Sequence, residues 1–298
     1  MTSIEMHRPP QLGDVIREQF KVTALSVRTF AIIGLALGAV ATVLAFADYF
    51  IRGVGTEFAP NLSLIPALAG AILPVIIWQR ERQFDAGFLW TLPVDRTRNA
   101  FAKVFAGWLC IMIAALAFDL WMMILALITK GNISGDELVR VLAPTVDVTK
   151  AIDPSLLQTI RWIPPRAFWL VPFTAATGTY VILSAVMLGL RYPFRWIIGA
   201  IAGGFLVAAV GQGVGSEALW AKIAGVIQPV MWGRYGLDTL LSARSESIHT
   251  VVGLTTGQLI TVWKGLPGVG DWIVGTLIWT GIGLVLLIAA LYRHRERR

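Results

Sequence analysis

The sequence predicts an all-α polytopic membrane protein with six transmembrane helices, and three observations predict it. Hydrophobic residues make up 56% of the 298 and charged residues only 14%, against roughly 25% charged in an average soluble domain. The apolar residues gather in runs, and crossing the hydrocarbon takes about 20 residues of helix. Aromatic residues stand at or near the ends of these runs, at Trp78, Trp169, Trp196, Trp272 and Tyr292, where amphipathic rings favour the headgroup zone.

In chain order, residues 1–28 carry Asp14, Arg17, Glu18, Lys21 and Arg28. Within them Leu12, Val15, Ile16, Phe20, Ala24 and Val27 recur at spacings of three and four, which predicts an amphipathic helix on the inner membrane surface. The alternative is an extension of the first spanning helix. The first apolar run starts late and is longer than the apolar stretch of a cleaved leader, so it is expected to be a retained first span. The spans are expected at 29–50, 62–78, 104–128, 167–190, 196–214 and 272–292.

Lysine and arginine set the orientation, because short cytoplasmic loops are enriched in them. With the N-terminus inside, the inner segments 1–28, 79–103, 191–195 and 293–298 hold 15 of the 25 Lys and Arg. Both termini are therefore expected in the cytoplasm, with Arg293, Arg295, Arg297 and Arg298 following the last span. The formal charge of +7 then reads as retention at an anionic inner leaflet rather than as nucleic-acid binding, and it points to the plasma (inner) membrane.

Two outer segments complete the chain. Residues 129–166 are polar and rich in Asp, Thr and Pro, as a loop or small cap would be. In 215–271 an apolar run, Leu219, Trp220, Ile223, Val226 and Ile227, is broken by Lys222 and Pro229 and followed by Gly233 and Gly236. It is too short to span and is expected to be re-entrant or interfacial. No second domain is expected.

Catalytic and metal-binding groups are sparse. Cys110 is the one cysteine, and His7, His249 and His294 all lie outside the expected spans. No Gly-x-x-x-x-Gly-Lys-Ser/Thr loop occurs, so the chain lacks a P-loop for ATP; no catalytic, cofactor-binding or metal-binding residue is assigned. Asp119 lies deep in the third span, where an acid must face protein or water; it is a candidate intramembrane polar contact. Gly34, Gly38, Gly199, Gly203, Gly204, Gly281 and Gly283 would permit close helix packing in lipid, although each alone is ordinary composition for a membrane helix.

The most informative stretch is Gln79 to Lys103, between the second and third spans. Phe84, Phe88 and Leu92 recur every four residues with Leu89 beside them, and Pro93 ends the helix they define. An apolar ridge flanked by Glu81, Arg82, Asp85, Arg96 and Arg98 has the make-up of a docking surface for a soluble protein.

With Glu81, Gly87, the Leu92-Pro93 pair, Arg96 and Lys103 in this order after the second span, the chain resembles the membrane permeases of type-2 ATP-binding-cassette transporters, the ABC-2 family. The N-terminal surface helix, the six spans and the re-entrant segment extend the resemblance over most of the chain; the 129–166 loop is longer than that pattern. The resemblance implies an export permease, not itself an enzyme, whose pathway forms between two copies or with a sister permease. A separate P-loop ATPase subunit would hold the ATP. The 79–103 segment would dock on it, with Glu81 and Arg96 orienting the lever and Phe84, Phe88 and Leu92 entering the ATPase cleft. The N-terminal helix would connect at the membrane surface, and residues 218–241 would form the outer gate. Two other classes stand beside this reading: an ATP-independent secondary transporter or channel using Asp119, and a polytopic membrane enzyme.

Overall fold

The computed structural model describes residues 12–59, 63–79, 96–133, 136–142, 157–190, 192–200, 202–203, 225, 227, 229–243, 248–252, 259–263 and 265–296. The protein is mostly helical, and among the described residues four helices are long and apolar enough to cross a membrane.

Helix α1 runs without a break from Leu12 to Arg52. At 1.5 Å per residue its 41 residues reach about 61 Å, roughly twice the hydrocarbon thickness. The expected surface helix is therefore corrected: residues 12–28 are the first turns of α1, the extension that the pattern also allowed. No proline interrupts the segment, so nothing in its backbone chemistry ends the helix before Gly53. There the chain turns left-handed, with φ +68°, and the Gly53 N–H donates to the Tyr49 carbonyl at 3.0 Å, a glycine stop that needs no Cβ.

Helix α2 spans Leu64–Gln79 and carries Pro74 inside it. Its 16 residues reach only about 24 Å, so α2 is shorter than a full crossing. Helix α3 spans Arg96–Ile128, beginning inside the expected cytoplasmic segment: residues 96–103 belong to the helix. A one-turn 3-10 helix, Arg166–Leu170, leads into α4, Val171–Gly189, where Pro172 sits in the first turn and forgoes an N–H that has no helical partner there. Residues 193–200 are also helical. Helix α5 is the short Leu237–Ser242, and α6 runs from Val269 to Glu296.

The fold is not all-α. Strands β1 (Glu137–Leu142), β2 (Leu157–Trp162), β3 (Ile248–Val252) and β4 (Leu259–Trp263) form one sheet in the order β2-β1-β4-β3. β1 pairs antiparallel with β2 from Glu137↔Trp162 to Leu142↔Leu157, and β3 with β4 from Ile248↔Trp263 to Val252↔Leu259. A parallel bridge, Val141↔Trp263, joins the two hairpins. The 129–166 loop and the 215–271 segment thus share one folded cap. Hydropathy on a helical scale misses it because each strand is five or six residues long and alternates: Leu138 and Arg140 are exposed while Val139 is buried. The cap has an aromatic core of its own, in which Trp162 lies 5.2 Å from Trp263 and Phe168 lies 5.8 Å from Trp272.

Packing fixes the order of the bundle. The main apolar cluster draws on α2, α3, α4 and α6 through Leu73, Ile77, Val104, Ile111, Tyr180, Val181 and Leu287. Helix α2 crosses α4 at Gly70, where a Cβ would meet the Ala176 carbonyl and the Thr179 hydroxyl. That hydroxyl lies 2.9 Å from the Ala67 carbonyl of α2. Gly107 of α3 leaves room for the Tyr180 ring, whose hydroxyl donates to the Val104 carbonyl at 2.8 Å. At Gly283 of α6 a Cβ would meet the side chains of Ile182 and Val181 at 3.0 and 3.1 Å.

The cap defines one end of this bundle. The α1–α2 connection joins it there: the Thr56 N–H donates to Thr129 Oγ1 at 2.9 Å, the Phe58 N–H to the Asn132 carbonyl at 2.9 Å, and Phe58 packs on Trp169. Helix α6 starts at the cap, with Trp272 in its core. At the opposite end lie the first half of α1, the last turn of α2, the start of α3 and the end of α4, where Val27, Trp78, Ala100 and Leu188 share the main cluster. Ala290, near the end of α6, lies beside Gly189 there.

Candidate functional site

The segment that the sequence singles out falls between Gln79, the end of α2, and Arg96, the start of α3, both at this second end. Glu81, Phe84, Gly87, Phe88, Leu92 and Pro93 lie outside the described residues. Arg96 opens α3. The structure therefore describes the two roots of the segment, and they meet.

Trp78 closes the apolar part of α2, and Lys103 sits two turns into α3. Each is buried, at 4% and 7% exposure, and the Lys103 ammonium lies 4.6 Å from the centroid of the Trp78 ring. A lysine at that distance over an indole face is held by the ring quadrupole, an attraction of about 2 kcal/mol or more when the pair is desolvated. The sequence reading assigned Trp78 to the interfacial belt and Lys103 to the motif; it did not bring them together. Only their spacing across a helical hairpin, 25 residues apart, hinted at it.

Helix α1 joins the same junction. Gln19 Nε2 donates to Asn99 Oδ1 at 2.8 Å, linking α1 to α3 one turn before Lys103. One turn on from Gln19, Thr23 is buried at 2% exposure, and Val27 packs on the cluster that holds Trp78. Sequence reasoning missed Gln19, Thr23 and Asn99, because each stands among charged residues in its segment and nothing in the local pattern sets it apart.

Further along α3, Asp119 is buried and its Oδ1 has no hydrogen-bond partner among the described residues. It lies on the inward stripe of α3 that includes Ile111 and Ala115, a spacing of four that keeps the three on one face. Asp119 and Lys103, 16 residues apart on one helix, are separated by about 24 Å along its axis, so the two buried charges on α3 belong to separate places in the bundle.

Of the seven glycines marked by sequence for close packing, Gly34, Gly38, Gly199, Gly203 and Gly281 face open space, with nothing within 4 Å of a Cβ built on them. Gly204 lies outside the described residues, and Gly283 does make a close contact. The close approaches fall instead at Gly70, Gly107, Gly178 and Gly275, because contact depends on which face of a helix meets another element.

The groups at the α1–α2–α3 junction are a cation on an aromatic face, an amide pair and a buried hydroxyl. They fix helices to one another rather than make and break bonds. No known protein family, curated protein or solved structure matches the chain.

Proposed function

We propose that this chain is the membrane permease subunit of an ATP-binding-cassette transporter of the ABC-2 type, an exporter driven by a separate P-loop ATPase. The observation that carries the reading is the pinned junction of Trp78 and Lys103. It places both roots of the ridge-bearing segment at the end of the bundle opposite the β cap. A docking lever is useful only if its two attachments are stiff, and a helix pair joined through a buried contact is stiffer than one joined by a loop.

Two further features support it. Leu190 ends α4 away from the cap while α5 and the start of α6 lie at the cap, which a fifth crossing between them would explain. The proposed topology is six crossings with both termini in the cytoplasm, in a plasma or inner membrane, with lipid around the spans. Helix α1 exposes Leu35 and Val43 over most of their surface, as a lipid-facing or permease-facing helix would; the pathway is proposed to lie between two permease chains.

The test is affinity purification of the detergent-solubilised protein from its native cells, with mass spectrometry of its partners and an ATPase assay on the eluate. A P-loop ATPase that co-elutes with the wild type and is lost on Phe88→Ala with Leu92→Ala is the expected result. Elution of the chain alone under mild conditions overturns the reading. The Oδ1 of Asp119, without a hydrogen-bond partner among the described residues, favours a second reading, an ATP-independent transporter, for which Asp119→Asn would abolish transport while no ATPase is recovered.

A further inference from the structure

Asp119 is buried without a countercharge among the described residues. No other charged side chain lies between Lys103 and the end of α3, and none lies in α2, in α4, in α1 between Arg28 and Asp48, or in α6 between Asp271 and Tyr292. Cys110 of α3 and Tyr180 of α4 are the other titratable groups in these stretches, and the Tyr180 hydroxyl donates to the Val104 carbonyl. A lone ionised carboxylate in such an interior is costly enough that it takes a cation or a proton instead.

The side of α3 that carries Asp119 is fixed by its neighbours. Asp119 follows Trp108 by about three turns and Met112 by about two, and both of these meet Thr177 of α4. The Trp108 indole N–H donates to Thr177 Oγ1 at 3.2 Å, and that hydroxyl lies 3.8 Å from Met112 Sδ. Trp121, which turns to Thr42 of α1, is on the opposite side. Asp119 thus faces α4 and α6, which touches both α3 and α4. Helix α4 stands between α3, which Tyr180 meets, and α5, which Gly178 meets. On α6, Gly275 and Trp279 face α5 and the turn before it, and Gly283 faces α4. Thr276 and Thr280 lie on the other side of that stripe, toward α3. Their depths agree: Asp119 is about 13 Å from the cap end of α3, and Thr276 and Thr280 are about 10 and 16 Å from the cap end of α6.

The hydroxyls in this seam are set apart from the rest. Ser26, Thr42, Thr129, Thr179 and Ser242 each donate to the carbonyl four residues back. Ser184, Thr276 and Thr280 do not, and with Asp119 Oδ1 their buried oxygens have no hydrogen-bond partner among the described residues. Ser184 lies about two turns beyond Thr177 on the same side of α4. Oxygens left open on three facing helices are the kind that ordered water satisfies.

We propose that Asp119 is a proton-binding site, reached from water through the seam of hydroxyls where α3, α4 and α6 meet. The proton sits on a carboxylate oxygen and leaves the acid neutral in the apolar bundle. On release it passes to a water molecule held by Thr276 and Thr280, giving a hydronium and the carboxylate, and on return the carboxylate takes it back from the same water. Ser184 and Thr177 continue the seam along α4, away from the cap. The site serves a transporter driven by an ATPase or by an ion gradient alike, so the proposal does not rest on the permease reading.

The test is infrared difference spectroscopy of the full chain in lipid vesicles, between acid and alkaline pH, in ordinary and in heavy water. The wild type is compared with Asp119→Asn, Asp119→Glu and the double variant Thr276→Val/Thr280→Val. The expected result is a carboxylic C=O band that is lost in Asp119→Asn, displaced in Asp119→Glu, and shifted to lower frequency when the wild type is transferred to heavy water. In the double variant the band remains and its shift in heavy water is delayed, because valine has the shape of threonine without its hydroxyl. Absence of any carboxylic band that depends on Asp119 overturns the proposal, since the carboxylate then has a cation of its own. A band that never shifts in heavy water overturns it as well: the acid is then sealed and merely structural. So does exchange in the double variant as fast as in the wild type, or a band abolished by sodium at constant pH, which marks a metal-cation site. Should Asp119→Asn fail to fold, Asp119→Glu carries the assignment, because it keeps the acid and moves the band.

Discussion

Replacing Gly70 by alanine should destabilise the protein, while the same change at Gly34 should not, although the two glycines sit in apolar helices of similar composition. A methyl group at Gly70 falls on backbone atoms, the carbonyl carbon and oxygen of Ala176, and on the Thr179 hydroxyl. Backbone cannot move aside as a flexible side chain does, so α2 and α4 must separate along the crossing. Overpacking of this kind costs about 1–3 kcal/mol. At Gly34 a Cβ meets nothing within 4 Å, and the change brings only the helix-propensity gain of about 1 kcal/mol. That gain is common to both variants and cancels in their difference. Gly70→Ala should therefore unfold more easily than Gly34→Ala by about 1–3 kcal/mol, a factor of roughly 5 to 150 in the unfolding constant. Reversible unfolding of the purified variants in mixed micelles, followed by far-UV circular dichroism, measures it. Equal stability of the two variants would refute the α2–α4 crossing at this position.

Thr129 is fully buried, donating to the Leu125 carbonyl and accepting the Thr56 N–H, both at 2.9 Å. Thr129→Val should leave that N–H without a partner at a cost of about 1–3 kcal/mol, and amide hydrogen exchange at Thr56 should accelerate accordingly while α3 stays protected. In the cap, Trp263→Ala removes a ring that lies against Trp162 and is buried at 4% exposure. A loss of about 3–5 kcal/mol is expected, seen as collapse of the near-UV circular dichroism with the far-UV helix signal retained.

The 79–103 segment shows how far sequence could be read. Its ridge and its motif were visible as spacings along one stretch of chain, and Lys103 was marked by that motif. That Trp78 is the partner of Lys103 was not visible, because the two lie on different helices and their contact depends on how those helices are rotated. Asp119 was legible as a deep acid from its position in an apolar run. Its placement on the inward face of α3 came from the packing of the bundle.

Hydropathy is a sum over neighbouring residues, and whether a segment prefers lipid is decided by that sum. The four long apolar helices were for this reason determined by sequence alone, whereas α2, expected as a full span over 62–78, is a helix of only 16 residues. The continuity of α1 through residues 12–52, the glycines that make contact and the sheet were decided by tertiary structure. β1 and β4 begin 122 residues apart, and although each pairs locally within its own hairpin, the bridge between the hairpins forms only where the bundle brings the two segments to the same end. Pairing between such distant segments is a property of the assembled helices, and no local pattern carries it.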